Sequence, residues 1–147
     1  MTADPAPSPA AILLVEDDEM IMDLVRNLLE LSGYTVMSTY LPDVALELVR
    51  QSSIHMDLLL TDLVMPQMNG TELYRRVLDH RPDLPVLYMS GYSDNSVGAL
   101  LDGGRFGFVS KPFTPSVLLE KIEQLLGAEA WTRAQSGQGH EVLDSRQ

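Results

Sequence analysis

Short apolar runs alternate along the chain with longer stretches in which apolar residues recur every three or four positions. The apolar runs are Ala11–Val15, Tyr34–Thr39, Leu58–Thr61, Pro85–Met89 and Phe106–Val109. Each has the length of a strand, and the continuous apolar run Leu58–Thr61 is typical of parallel strands that are buried on both faces. The pattern therefore predicts a β-strand over each of these runs.

Helical periodicity fills the intervals between the predicted strands. After the first strand, apolar residues stand at Ile21, Leu24, Val25, Leu28 and Leu31, and Gly33 follows as a stop signal. A second helix begins at Pro42, and three more are predicted over Gly70–Leu78, Asn95–Leu101 and Pro115–Leu126. Each predicted strand is thus followed by a predicted helix.

Regular strand–helix alternation determines the expected fold class. It predicts an α/β fold in which a five-stranded parallel sheet carries helices on both faces. The fourth helix is the least regular, because Gly98 interrupts it. We expect residues 1–10, rich in Pro and Ala, to be a flexible linker, residues 11–127 to form the domain, and residues 128–147 to be a polar tail.

Composition narrows the classes of function. The chain has 147 residues, enough for one domain with a single core. Its net charge of −11 argues against a nucleic-acid surface, which needs clustered Lys and Arg, and the absence of Cys excludes disulfides and thiolate metal sites. Neither a signal peptide nor an apolar run long enough to span a bilayer is recognisable, so we expect no membrane contact and a cytoplasmic location.

Polar residues that could take part in catalysis or metal binding lie at or just after the ends of four predicted strands. They are Asp17, Asp18, Asp62, Ser90 and Lys111. In an open parallel sheet the carboxyl ends of the strands meet at one crevice, so these residues should converge there. Each one alone also fits a helix cap, a turn or a solvated loop. Together they predict an acidic pocket with a nucleophilic carboxylate, a divalent metal and a lysine.

The motifs around these residues resemble those of response-regulator receiver domains, the phospho-acceptor modules of two-component signalling. The matching segments are VEDDE, TDLVMPQMNG, MSGYS and VSKPF, in the order of that family, and they span Ala11 to Leu126. The resemblance implies a flavodoxin-like (βα)5 receiver fold. It also implies that Asp62 is phosphorylated.

The resemblance further implies a metal site. Asp17 and Asp18 would be the acidic pair that binds Mg²⁺, for which Mn²⁺ could substitute. Asp18 and Asp62 would ligate the ion through their carboxylates, Val64 through its backbone carbonyl and Asp17 mostly through water. Mg²⁺ prefers a few carboxylates together with water and phosphate oxygens, which suits this set.

Three further residues acquire roles through the same resemblance. Lys111 would pair with Asp62 and later with a phosphoryl oxygen, and Ser90 would form a hydrogen bond with the phosphoryl group. Phe108 would be the aromatic switch residue that moves into the space vacated by Ser90. We expect no turnover of a separate substrate, because a receiver catalyses only its own phosphorylation and dephosphorylation.

The resemblance also suggests the partners. The donor would be a histidine kinase or a histidine phosphotransfer domain, since none of the three histidines of this chain lies in a recognisable phospho-acceptor helix. The output partner would bind the surface of the predicted fourth helix, fifth strand and fifth helix. MSGYSDN and KPFTPSVLLEKI most resemble the receivers at the C-terminus of hybrid sensor kinases, so the chain could be stand-alone or a part of such a kinase.

Two alternatives to a phosphorylated receiver stay open. One is a pseudo-receiver that serves only as a docking module, which the complete set of phosphorylation residues disfavours. The other is a phosphatase of the haloacid dehalogenase type, which also forms an aspartyl phosphate. That enzyme needs a second aspartate two residues after the nucleophile, where this chain has Val64.

Overall fold

The predicted apolar runs form one parallel sheet in a computed structural model that describes residues 9–91 and 105–137, with side chains as far as residue 127. The strands are β1 (Ala11–Val15), β2 (Thr35–Thr39), β3 (Leu58–Asp62), β4 (Val86–Ser90) and β5 (Phe106–Ser110). Their order in the sheet is β2-β1-β3-β4-β5. All neighbouring pairs are parallel, as the strand–helix alternation predicts.

Four helices lie within the described residues and connect or follow these strands. They are α1 (Glu19–Leu31), α2 (Pro42–Arg50), α3 (Gly70–Leu78) and α4 (Pro115–Gly137). The predicted helix over Asn95–Leu101 lies outside the described residues. The predicted α/β fold is confirmed.

The sheet separates two apolar cores because successive strand residues point to opposite faces. In β1, Ile12 and Leu14 join a core covered by α1 and α4. Leu13 and Val15 join the opposite core, which is covered by α2 and α3. All five residues of β1 are buried, as are all five of β3 and of β4. The predicted burial of the central strands on both faces is therefore confirmed.

The residues that α1 buries are not the same as the apolar residues from which the helix was predicted. Met22, Val25 and Leu29 are its buried residues. Leu24 and Leu31, which belong to the predicting series, are 65% and 82% exposed. A helix has room for only one stripe against the sheet. Met20, Leu24 and Leu31 are therefore left exposed on the surface of α1.

The end of α4 differs from the sequence prediction. Its start agrees, because the predicted N-cap Thr114 accepts a hydrogen bond from the backbone N–H of Val117 at 3.2 Å. Gly127, with φ of 84°, breaks the helix just after the predicted end at Leu126. Helical backbone then continues to residue 137. The sequence did not predict this extension, because residues 128–137 carry few apolar side chains to indicate a helix.

Gly70 allows the loop after β3 to turn sharply into α3. A Cβ atom at this position would lie 2.5 Å from the backbone oxygen of Asp62 and 3.2 Å from the Cα of Leu63. The Gly70 N–H donates a hydrogen bond to the Leu63 carbonyl at 2.8 Å. Only glycine fits this close approach, which holds the loop that follows Asp62.

We expect Gly70→Ala to destabilise the fold by about 1–3 kcal/mol, since overpacking against backbone forces the chain to shift. Urea denaturation would measure the loss. Gly91→Ala is the matched control, because a Cβ there meets nothing within 4 Å. Equal stability of the two variants would show that the close approach at Gly70 is not a constraint.

Candidate functional site

The carboxyl ends of β3, β4 and β5 bring the predicted site residues together at one edge of the sheet. Asp62 ends β3, Ser90 ends β4, and Lys111 follows β5. The Lys111 ammonium Nζ lies 3.2 Å from Oδ1 of Asp62. The predicted pairing of these two residues is thus present in the structure.

A group of three carboxylates occupies this edge. One oxygen from each of Glu16, Asp17 and Asp62 lies within 4.8 Å of the other two. Glu16 is fully buried, Asp62 is 8% exposed, and Asp17 lies on the surface. The group therefore opens to solvent through Asp17.

The structure corrects the predicted acidic pair. Asp18 is not part of the carboxylate group: its Oδ1 caps α1, accepting hydrogen bonds from the backbone N–H groups of Met20 and Ile21 at 2.9 and 3.1 Å. Glu16 takes the place that the sequence analysis gave to Asp18. The continuous acidic run conceals this one-residue offset, because the end of β1 and the start of α1 decide which side chains point into the crevice.

Glu16 uses both of its carboxylate oxygens. Oε1 accepts a hydrogen bond from Lys111 Nζ at 3.1 Å, and Oε2 accepts one from the backbone N–H of Asp18 at 3.0 Å. The side chain is 0% exposed, so both partners are needed to offset the cost of burying its charge. The signal that could have revealed it is its position directly after the last buried residue of β1.

Lys111 lies between two carboxylates. Burial by itself would lower the pKa of its ammonium group, but the hydrogen bond to Glu16 and the charge of Asp62 outweigh that effect, so the pKa is raised. Lys111 is therefore a permanent cation at neutral pH. Its side chain is 20% exposed, which leaves it accessible from the crevice.

The carboxylates nevertheless carry more negative charge than Lys111 balances. Burial raises the pKa of Glu16, and the charge of Asp62 adds to the effect. Burial also raises the pKa of Asp62, with Asp17 contributing and Lys111 opposing. Three clustered hard oxygen donors with excess negative charge are what a divalent cation such as Mg²⁺ prefers. The donor set therefore fits the metal that the sequence resemblance implies.

Three other predicted residues lie on, or just after, the strands that carry this site. Ser90 is 3% exposed, and its carbonyl accepts a hydrogen bond from the Lys111 N–H at 2.7 Å. Phe108, on β5, is half-buried and stacks on Tyr88, with ring centres 5.4 Å apart. Val64 is 58% exposed in the loop after β3.

Comparison with known proteins gives the family. The sequence model of the response regulator receiver domain matches residues 12–123. The chain belongs to this family. It is thus a receiver domain of the kind found in two-component signalling, and the resemblance noted in its motifs is confirmed.

Its relatives include proteins of very different length. The response regulator receiver protein CpdR of Brucella abortus is 37% identical over 116 residues, which cover 78% of this chain and 95% of CpdR. The sensor kinase CckA of the same species is 31% identical over 118 residues, but the chain spans only 12% of CckA. The chain therefore resembles both a nearly complete small protein and one part of a large kinase.

Solved structures of receivers share the fold. A CheY-like receiver domain protein from Methanospirillum hungatei superimposes with a TM-score of 0.74 at 32% identity, covering 81% of this chain and 94% of that one. The receiver domain of the hybrid histidine kinase CckA gives 0.68 at 27% identity, covering 80% of this chain and all of that one. The flavodoxin-like receiver architecture is thus confirmed.

None of the helices in the described ranges is both long enough and apolar enough to cross a bilayer.

We expect Asp62→Asn to raise the melting temperature at pH 7 in the presence of a chelator. A raised pKa means that the fold disfavours the ionised carboxylate, so a neutral side chain of the same shape removes a cost. The gain should vanish as the pH falls below the ordinary aspartate pKa of about 3.9, where the carboxyl group is neutral in both the folded and the unfolded state. Thermal denaturation from pH 7 downward would measure it.

The matched control for this prediction is Asp83→Asn, at an exposed aspartate outside the carboxylate group. It should leave the melting temperature unchanged across the same pH range. A lower melting temperature for Asp62→Asn at pH 7 would contradict the prediction, because it would mean that the pairing with Lys111 outweighs burial.

Proposed function

We propose that this chain accepts a phosphoryl group from the phosphohistidine of a kinase or phosphotransfer domain onto Asp62. The observation that carries the proposal is the position of the Asp62 carboxylate, at the tip of a central strand, beside the Lys111 ammonium and two further carboxylates. Membership of the receiver family supports it. No turnover of a separate substrate is expected.

The proposed transfer follows from the chemistry of the donor. A carboxylate oxygen of Asp62 attacks the phosphorus atom, the bond from phosphorus to the imidazole nitrogen breaks, and the imidazole leaves with the electron pair. The transition state is loose, so the site mainly aligns the two groups and neutralises charge on the equatorial oxygens. Lys111, 3.2 Å from Asp62, is placed to contact one of those oxygens.

Glu16, Asp17, Asp62 and the backbone carbonyl of Val64 are the groups that would hold Mg²⁺ or Mn²⁺ at this site. The bound ion would supply positive charge to the phosphoryl oxygens. Asp18 is left out of this set, because its carboxylate caps α1. The proposal thus retains Asp17 and replaces its predicted partner with Glu16.

Phosphorylation would be transmitted through Ser90 and Phe108. The phosphoryl group adds acceptor oxygens that draw the Ser90 hydroxyl towards Asp62, and Phe108 moves into the space that becomes free. The change alters the surface around β5 and α4, where we place the output partner. A population shift between two conformers describes this switch. The partner could be a separate protein or a kinase to which the receiver is attached.

Incubation with acetyl phosphate and Mg²⁺ should add one phosphoryl group to the chain, detectable by intact mass. Asp62→Asn should abolish the adduct, since it removes the nucleophile, and excess chelator should do the same for the wild type. Ser90→Ala should still be phosphorylated. A folded wild type without an adduct would favour the pseudo-receiver that serves only for docking.

The donor would dock along α1, which begins at the site. Met20, Leu24 and Leu31 are 79%, 65% and 82% exposed. At positions 20, 24 and 31 they share one face of the helix. This stripe borders an apolar groove of about 260 Å³ that also includes Phe113 and Pro115. A helical protein with an apolar ridge would fit here while its phosphohistidine reaches Asp62.

We expect Leu24→Glu to slow phosphoryl transfer from an autophosphorylated histidine kinase by about tenfold or more, since a charge in the centre of an apolar contact costs over 1.4 kcal/mol. Phosphorylation by acetyl phosphate should not change. Val44→Glu is the matched control, because Val44 is 42% exposed on α2, which covers the opposite face of the sheet. Equal transfer rates for both variants would place the donor elsewhere.

A further inference from the structure

Two neighbouring tyrosines in the core next to α3 differ in the hydrogen bonding of their hydroxyl groups. Tyr74 and Tyr88 are both fully buried, and their rings meet edge to face with centres 6.4 Å apart. The Tyr74 hydroxyl donates a hydrogen bond to the Leu84 carbonyl at 2.7 Å and accepts one from the Arg105 N–H at 3.2 Å. The Tyr88 hydroxyl has no hydrogen-bond partner within the described part of the chain. An unpaired buried hydroxyl is a cost to the conformer that contains it.

Tyr88 lies between the phosphoryl site and the proposed switch residue. It precedes Ser90 by two positions on β4, so both side chains point to the same face of the sheet. Tyr88 is also the register partner of Phe108 on β5. The two rings stack with their planes 30° apart and their centres at 5.4 Å. Phe108 therefore cannot move without changing its contact with Tyr88.

Phe108 lies on the side of the aromatic cluster that faces solvent. It is half-buried, and its neighbour Phe106, with the ring centre 5.9 Å away, is 37% exposed. The aromatic series thus runs from the paired Tyr74 through the unpaired Tyr88 to the surface. Of the two tyrosines, the one with the unpaired hydroxyl, Tyr88, is the one that stacks on Phe108.

We propose that Tyr88 is a positioning residue that sets the switching equilibrium: its ring holds Phe108 in the conformer observed, while its unpaired hydroxyl keeps that conformer poised to change. Displacement of Phe108 opens the surroundings of the hydroxyl to water or to a polar backbone group. The hydroxyl then gains the hydrogen bond that it lacks here. This inference rests on the proposed function, since it concerns the response to a phosphoryl group on Asp62.

The test is Tyr88→Phe, which retains the ring and removes only the hydroxyl. The resting conformer should become more stable, so the melting temperature of the free chain should rise. Beryllium fluoride with Mg²⁺ imitates the phosphoryl group, and its affinity, measured by titration, should fall about tenfold, because binding must now work against a more stable resting conformer. If Tyr88 served only to stabilise the fold, Tyr88→Phe would not change that affinity.

Tyr74→Phe is the matched control. It removes a hydroxyl that is paired in the same core, so it should lower the melting temperature and leave the affinity for beryllium fluoride unchanged. Tyr88→Phe overturns the inference if it behaves in the same way, or if its affinity equals that of the wild type. A wild type that binds no beryllium fluoride and accepts no phosphoryl group would instead overturn the proposed function, and this inference with it.

Discussion

The site is organised around a single cation, Lys111, held between two buried carboxylates. It lies 3.1 Å from Glu16 and 3.2 Å from Asp62, and it joins the ends of three strands, β1, β3 and β5. It offsets part of the cost of burying both carboxylates, because its charge and hydrogen bonds oppose the effect of burial on their pKa values. Because Glu16 retains Lys111 as a partner, Asp62 can change its charge state or form a covalent bond without leaving Lys111 unpaired. In the proposed function, this second partner would keep the cation in place while Asp62 accepts the phosphoryl group.

The sheet and its loops hold this arrangement in place, and other features lie around it. The sheet holds the strand ends in fixed register, and the close approach at Gly70 holds the loop after Asp62 against the end of β3. Around this rigid centre lie the features that we assign to communication: the apolar stripe of α1 and the aromatic series that ends at Phe106. In the proposed function, chemistry and recognition would therefore depend on different residues of the domain.

Relatives of very different size contain this kind of domain. The chain corresponds to nearly all of CpdR and to a small part of CckA. All the residues that we assign to the acceptor site lie within residues 12–123, the stretch that matches the family model. In the switch that we propose, the contact between Tyr88 and Phe108 is the point from which a change at Asp62 would reach the surface.

The amino-acid sequence alone determined the class of fold and most of the site. Short apolar runs that alternate with helical stretches are typical of the strands of a parallel sheet, so the positions of Asp62, Ser90 and Lys111 at or just after strand ends followed directly. The family motifs then suggested the roles that we propose for them. The starts of several helices were also predicted correctly, because N-cap and proline signals are local features of the sequence.

Tertiary structure decided what local patterns could not. Whether Glu16 or Asp18 faces the crevice depends on the backbone direction between β1 and α1, and four consecutive acidic residues conceal it. The choice of Met22 rather than Leu24 for burial depends on how α1 lies on the sheet. The unpaired hydroxyl of Tyr88 depends on neighbours from other elements. In each case the outcome depends on where a side chain points, and that is determined only when separate elements pack together.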